Sequence, residues 1–171
     1  MKYLILWGSC LLICLNASAL EWRDYGPPGA AVTAVATTGD NSFIVAGMGF
    51  TPHASTDDGV SWSALPSLPD QQNCQDLVVA GGSDYIVLAI AGTGGVFRWT
   101  PGADEWEEVV SGIPTSGYAN QYYDISAVSA DSDRVFLGCS EGLYYTDNFG
   151  DLWTKIPLPN EDATASAKQP R

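Results

Sequence analysis

Tryptophan recurs along this chain at nearly constant intervals. Trp22, Trp62, Trp106 and Trp153 are separated by 40, 44 and 47 residues. The surrounding residues recur as well. Seven positions before the last three tryptophans, a short segment of similar pattern ends at Ser55, Trp99 and Thr146. A period of forty-odd residues indicates a fold that stacks copies of one supersecondary unit.

Each repeat contains two apolar runs separated by polar turn residues. The paired runs are 32–36 with 43–46, 77–80 with 85–90, and 125–128 with 135–137. Short runs rich in Val, Ile, Phe and Tyr and bounded by Gly, Asp, Ser and Asn predict strands. A helical period fails because Gly, Pro or turn clusters interrupt it. Four short strands in each forty-odd residues are typical of a β-propeller blade, so we predict an all-β chain of four-stranded antiparallel sheets.

Two hairpins between third and fourth strands carry a motif. Ser55-Thr56-Asp57-Asp58-Gly59-Val60-Ser61-Trp62 fits Ser-x-Asp-x-Gly-x-Thr-Trp closely, and Thr146-Asp147-Asn148-Phe149-Gly150-Asp151-Leu152-Trp153 fits it more loosely. This pattern resembles the Asp-box, or BNR repeat, of sialidase-type propellers, xyloglucan-cleaving glycosidases, sortilin-type receptors and photosystem II assembly and stability factors. The resemblance implies a fold and a structural role for the box, with no catalytic residue in it. The predicted box residues are Ser55, Asp57, Gly59, Trp62, Thr146, Asn148, Gly150 and Trp153.

The repeats predict an incomplete ring. The middle unit lacks the box, since Pro101 and Ala103 occupy its Asp and Gly positions. Trp22 and the residues after it resemble the outer strand of a further blade. About three blades plus this N-terminal outer strand cannot close a ring, which needs about four to eight blades. Two explanations stay open: the chain is part of a longer propeller, or copies of it assemble into a ring.

The N-terminal residues predict export, and the C-terminal residues predict a disordered tail. Lys2 precedes an apolar stretch from Tyr3 to Leu15, and Ala17-Ser18-Ala19 offers a cleavage site before Leu20. This pattern predicts a secretory signal peptide over residues 1–19 and a periplasmic or extracellular location. Propeller blades are expected over 20–159, with no later membrane insertion, and a polar, disordered tail over 160–171.

The charge narrows the classes of partner. Twenty acidic residues against seven basic ones give a formal net charge of −13. Nucleic acids and anionic lipids need clustered Lys and Arg, so we expect neither as a partner. An unknown protein or carbohydrate is expected instead, with no cofactor and no metal site.

Candidate binding residues fall in two groups. Asp76 and Asp124 begin the innermost strands of adjacent units and could line the mouth of a central channel, with Ala31 at that position in the first unit. Tyr118, Tyr122 and Tyr123 lie in the predicted loop before the third unit, where aromatic residues suit a protein or sugar partner. Packing between blades explains the tyrosines equally well.

Two cysteines remain after signal removal. Cys74 and Cys139 fall on one face of neighbouring predicted blades, so the sequence allows a disulfide between them. The run Gly138-Cys139-Ser140-Glu141-Gly142 matches the Gly-x-Ser-x-Gly sequence of a nucleophile elbow. It lacks the required structural context, because a second strand is predicted where the elbow needs a helix.

The sequence therefore predicts an exported, non-catalytic binding or assembly module. The alternative is a fragment of a sialidase-like or xyloglucanase-like glycoside hydrolase whose catalytic residues lie largely outside this chain. Glycoside cleavage needs paired carboxylates, and a sialidase would also need three converging arginines. The predicted mature chain has four arginines in all, and one of them is the terminal Arg171.

Overall fold

The structure is a computed structural model that describes residues 26, 29, 31–92, 95–114, 122–127 and 132–159. The predicted signal peptide, Trp22, Tyr118 and the predicted tail lie outside these residues. Within them the chain is nearly all β. Two 3₁₀ turns, at Pro69–Gln71 and Gly82–Asp84, are the helical elements among the described residues. No described helix has the length and apolarity needed to cross a membrane.

The strands form three antiparallel sheets, each made of four strands consecutive in sequence. The first sheet contains β1 (Val32–Thr37), β2 (Ile44–Met48), β3 (His53–Ser55) and β4 (Ser63–Ala64). The second contains β5 (Cys74–Ala80), β6 (Ile86–Ala91), β7 (Gly95–Trp99) and β8 (Glu107–Glu108). The third contains β9 (Tyr122–Ala127), β10 (Val135–Cys139), β11 (Gly142–Thr146) and β12 (Thr154–Ile156). The predicted all-β class and four-stranded units are confirmed.

The same irregularity occurs near the start of the first strand of every sheet. Pairing skips one residue between Val32 and Ala34 in β1, and between Cys74 and Asp76 in β5. In the third sheet Tyr122 and Asp124 of β9 pair with successive residues of β10. This places one extra residue, a β-bulge, at the second position of each inner strand.

The register of the inner strands and the bounds of β9 correct two sequence expectations. The first-sheet counterpart of Asp76 and Asp124 is Ala34, not Ala31, because strand register rather than distance from the tryptophan defines equivalence. Tyr122 and Tyr123 belong to β9 rather than to a loop. The predicted start of that strand was late because only the apolar run from Ile125 was counted.

Two apolar clusters lie on opposite faces of the second sheet. Alternate residues of β6 supply them, since successive strand side chains point to opposite faces. Val87 and Ala89 join the cluster shared with the first sheet, which includes Phe43 and Val45. Leu88 and Ile90 join the cluster shared with the third sheet, which also includes Ile125, Leu137, Tyr144 and Trp153. The second sheet is therefore covered on both faces.

Tryptophans before the outer strands connect each sheet to the preceding one. The indole N–H of Trp106 donates to the Pro66 carbonyl at 2.7 Å, and that of Trp153 donates to the Val109 carbonyl at 2.7 Å. Pro66 follows β4 and Val109 follows β8, which are the last strands of the first and second sheets. Each buried indole thus packs against a neighbour while its single donor is satisfied.

Candidate functional site

Candidate residues lie at two ends of the sheets. The β1–β2, β3–β4 and β5–β6 connections share one end, which we call the turn end, because neighbouring strands are antiparallel. The bulges and Asp76 lie at the opposite end, where the inner strands begin. The motif hairpins and the candidate channel carboxylate are therefore separated by the length of a strand.

Asp76 bridges two sheets. Its Oδ1 accepts a hydrogen bond from the Leu77 amide at 2.9 Å, and its Oδ2 accepts one from the Ile125 amide at 2.9 Å. Both oxygens therefore contact backbone N–H groups, one of them in β9. The side chain of Asp124 lies outside the described part, although its backbone pairs with Gly138. Asp76 is engaged as a structural link between sheets.

The hairpin at Ser55–Trp62 is organised by Asp57. The Ser55 hydroxyl donates to Asp57 Oδ1 at 2.8 Å and accepts from the Gly59 amide at 2.9 Å. The amide and hydroxyl of Ser61 donate to the two oxygens of Asp57 at 2.8 and 2.6 Å. Gly59 has φ +83°, which a side chain would strain. The carboxylate thus closes its own turn.

The hairpin at Thr146–Trp153 repeats these contacts with different residues. The Thr146 hydroxyl donates to Asn148 Oδ1 at 2.7 Å and accepts from the Gly150 amide at 3.1 Å. The Leu152 amide donates to Asn148 Oδ1 at 3.1 Å. Asn148 accepts the equivalent backbone bond without a charge, so the turn tolerates the looser sequence. Trp153 is buried, whereas Trp62 is half-buried.

The hydrogen bonds of Asp57 predict how the stability of the fold depends on pH. Hydrogen bonds from the Ser61 hydroxyl and amide, and then from Ser55, lower the pKa of its carboxyl. A depressed folded pKa stabilises the fold above the unfolded value near 4, and this contribution is lost as pH falls through the folded value. We therefore expect Asp57→Asn to show a smaller drop in thermal midpoint than the parent between pH 7 and acid.

The matched control is Asp58→Asn, because the Asp58 side chain has no hydrogen-bond partner within the described ranges. Asn also tolerates the φ of +57° at this position. Midpoints would be followed by circular dichroism from pH 7 to about pH 2. An equal acid-induced drop in the parent and the Asp57→Asn protein would contradict the prediction.

Cys74 and Cys139 are free thiols in this structure, contrary to the disulfide that the sequence allowed. Both are buried, but they belong to the two different apolar clusters on either side of the second sheet. Burial, with a smaller effect of the Asp76 charge, raises the pKa of Cys74 to about 12, and burial also raises the pKa of Cys139. Burial and a raised pKa are typical of structural rather than reactive cysteines.

An arginine not singled out from sequence forms ion pairs at the second motif hairpin. Arg98 of β7 bonds Glu107 at 2.8 Å and Asp151 at 2.7 Å, and donates to the Phe149 carbonyl at 3.1 Å. It therefore ties the second sheet to the Thr146–Trp153 hairpin. Its pairing with Glu107 follows from strand register, but Asp151 is 53 residues away and no local pattern indicates that contact.

A cleft of about 500 Å³ opens at the turn end between the first two sheets. The β1–β2 turn and the β5–β6 turn form its two sides. Its lining residues are Thr38, Gly39, Asp40, Ser42, Gly82, Ser83 and Tyr85. The sequence marked these segments only as turns. Among the described residues, no group of three or more His, Cys, Asp or Glu side chains is arranged to hold a metal ion.

The face of the third sheet that points away from the second sheet carries the apolar residues Phe136 and Leu143, and also Tyr145, with Arg134 5.2 Å from its ring centroid. Strand register makes Phe136 and Leu143 equivalent to Leu88 and Val96 of the second sheet. Leu88 and Val96 are completely buried against the third sheet, whereas Phe136 and Leu143 are half-buried. In the second sheet, the equivalent residues pack against the sheet that follows it. The third sheet therefore exposes residues of the kind that would pack against a further sheet.

Comparison with known proteins gives a likeness in structure. No protein-family profile matches the sequence, and no curated protein matches it. An ancestral GH74 enzyme is similar with a TM-score of 0.57 and 23% identity, over 81% of this chain and 20% of that one. YCF48 from Cyanidioschyzon merolae is similar with a TM-score of 0.61 and 16% identity, over 86% and 44%. The β-propeller domain of Cps50 (Swd1) from Myceliophteria thermophila gives 0.55 and 12%, over 74% and 42%.

The chain has the β-propeller fold. The three sheets are blades of an open ring, and β1, β5 and β9 are their inner strands. This chain spans less than half the length of each of these structures. At these identities the likeness establishes the fold alone. The turn end of the blades carries the cleft and the motif hairpins.

Proposed function

We propose that this chain is an exported, non-catalytic assembly module built from Asp-box propeller blades. The N-terminal pattern from Lys2 to Ala19 supports export. The matching hydrogen bonds around Asp57 and Asn148 support the Asp-box identity. The engagement of both Asp76 oxygens by backbone amides supports a structural rather than a catalytic role for that carboxylate.

The observation that carries assembly is the pair of apolar residues on the open face of the third blade. Phe136 and Leu143 stand where the second blade has fully buried residues. The first blade has a complementary open face. Ala34 and Ala36 of β1 pack toward the second blade, so Val35 points away from it, and Val35 is 63% exposed.

The partner that fits both faces is a second copy of this chain. The contact between successive blades already occurs twice within the chain, and its two halves are the open faces of the first and third blades. Docking one copy head to tail on another would continue the same contact. Such heterologous contacts produce closed rings where the rotation permits.

The test is the mass of the secreted chain in solution. We expect light scattering to give a multiple of the chain mass, and Val35→Asp to reduce it to a single copy, because a charge buried at the contact is unfavourable. Val35 is exposed, so this substitution leaves the monomer folded. The control is Val60→Asp, at a position 68% exposed in the first motif hairpin, which should leave the mass unchanged. A monomeric parent with cooperative unfolding would overturn the proposal.

The likeness to a GH74 enzyme favours one second candidate, a fragment of a glycoside hydrolase. It predicts that this chain forms part of an active site completed by other residues. Hydrolysis of fluorogenic glycosides that appears only when this chain is part of a longer protein that completes the site would support this candidate over assembly.

A further inference from the structure

The cleft at the turn end has the size and lining of a small-ligand site. Its volume of about 500 Å³ falls within the range typical of such sites, about 300–1,000 Å³. Hydroxyl groups, one carboxylate and one aromatic ring surround it. The motif hairpins are separate turns and contribute none of its lining residues.

Asp40 is held rigidly at one side of the cleft. Its Oδ1 accepts hydrogen bonds from the Thr38 hydroxyl at 2.7 Å, the Ser42 amide at 3.0 Å and the Ser42 hydroxyl at 2.8 Å. These donors, the Ser42 amide foremost, lower the pKa of Asp40 to about 2, so it is ionised at any physiological pH. Its Oδ2 receives no hydrogen bond from another described residue and is available to a ligand.

The opposite side offers hydroxyl groups and an aromatic wall. The hydroxyls of Ser83 and Tyr85 have no hydrogen-bond partner within the described part of the chain. The Tyr85 ring stacks on Phe43 with centroids 4.3 Å apart, and Phe43 is buried in the cluster between the first two blades. The aromatic wall is therefore fixed by the core. The first two blades together pre-form the site, which lowers the cost of ordering it on binding.

The lining selects among classes of ligand. The Asp40 charge and the net charge of −13 disfavour anions. A single carboxylate is too few for a calcium site, which takes six to eight oxygen ligands. The hydroxyl groups of the lining can donate and accept hydrogen bonds, the Asp40 carboxylate is a strong acceptor, and the Tyr85 ring offers an apolar surface. These features match a ring-shaped molecule that has several hydroxyl groups at its edge and apolar faces. We propose that this cleft binds a neutral carbohydrate, with Asp40 Oδ2 accepting from sugar hydroxyls and Tyr85 packing against the ring.

Titration of the ¹⁵N-labelled chain with glucose, galactose, mannose and xylose tests the proposal. We expect saturable shifts of the Gly39, Ser42, Gly82 and Ser83 amides with at least one sugar. A ligand of this size in an open cleft should bind with a Kd of roughly 1–10 mM. The proposal does not rest on self-assembly, and the titration can be run on the Val35→Asp protein.

Three substitutions localise the binding. Asp40→Asn should weaken it about tenfold or more, because a charge-assisted hydrogen bond is lost. Ser83→Trp should abolish binding by filling the cleft from an exposed position that makes none of the Asp40 contacts. Asp84→Asn is the control, since Asp84 precedes Tyr85 but does not line the cleft, and should bind as the parent does.

Three results would overturn the proposal. The first is no saturable shift with any of the four sugars up to about 50 mM, well above the expected Kd. The second is binding that persists in Ser83→Trp. The third is tighter binding of methylammonium than of every sugar, which would assign the cleft to a cationic ligand. Unchanged unfolding midpoints in Ser83→Trp and Asp84→Asn exclude misfolding as the cause.

Discussion

Replacing Trp153 by alanine is expected to reduce the free energy of unfolding by about 3–5 kcal/mol, the usual range for a buried aromatic residue. Its side chain is 2% exposed and packs in the cluster between the second and third blades. The substitution removes this packing and leaves the Val109 carbonyl without the indole N–H at 2.7 Å. Urea unfolding monitored by circular dichroism would measure the loss.

Leu152→Ala is the neighbouring control. Leu152 is 53% exposed, so its truncation should change stability by no more than about 0.5 kcal/mol. Trp62→Ala provides a second comparison at the equivalent hairpin position, and its cost should be lower because Trp62 is half-buried. Equal losses for Trp62 and Trp153 would contradict the dependence of each tryptophan's contribution to stability on its burial.

Gly112→Ala should be nearly as damaging despite adding only a methyl group. Gly112 has φ +89°, and a Cβ there would collide with the backbone carbonyl oxygen of Trp153. Strain at positive φ costs about 1–2 kcal/mol, and forced overpacking adds about 1–3 kcal/mol. The total expected loss is about 2–5 kcal/mol, measured by the same urea unfolding.

Gly102→Ala separates the two causes. Gly102 has φ +87°, but apart from its chain neighbours no described residue has an atom within 4 Å of the position that an added methyl group would occupy, so only the backbone strain applies. Its expected cost is about 1–2 kcal/mol. If Gly112→Ala and Gly102→Ala lost the same free energy of unfolding, the expected steric clash between the Gly112 methyl group and the Trp153 carbonyl would be contradicted.

The sequence was sufficient for the blades because the relevant signals are local. Apolar runs such as 77–80 and 85–90 mark paired strands, and the polar residues between them mark the turn. The box at Ser55–Trp62 places a hairpin from contacts four residues apart. Residue type and short spacing therefore indicated the secondary structure and the fold.

The candidate site was harder to predict because its contacts join distant segments. The bulge made Ala34 the counterpart of Asp76, and one skipped residue is invisible in spacing alone. The contact of Arg98 with Asp151 spans 53 residues. The cleft needs the turns at Asp40 and Tyr85 side by side, which depends on the angle between two blades.

The placement of the two apolar clusters has a consequence for local opening. The middle blade supplies side chains to both clusters, so it cannot open without exposing both. Either outer blade can detach while one cluster stays intact. In a linear array with nearest-neighbour coupling, this arrangement makes the centre the last part to lose its structure. In the single-copy Val35→Asp protein, amide hydrogens of β6 should therefore exchange with solvent more slowly than those of β2 or β10.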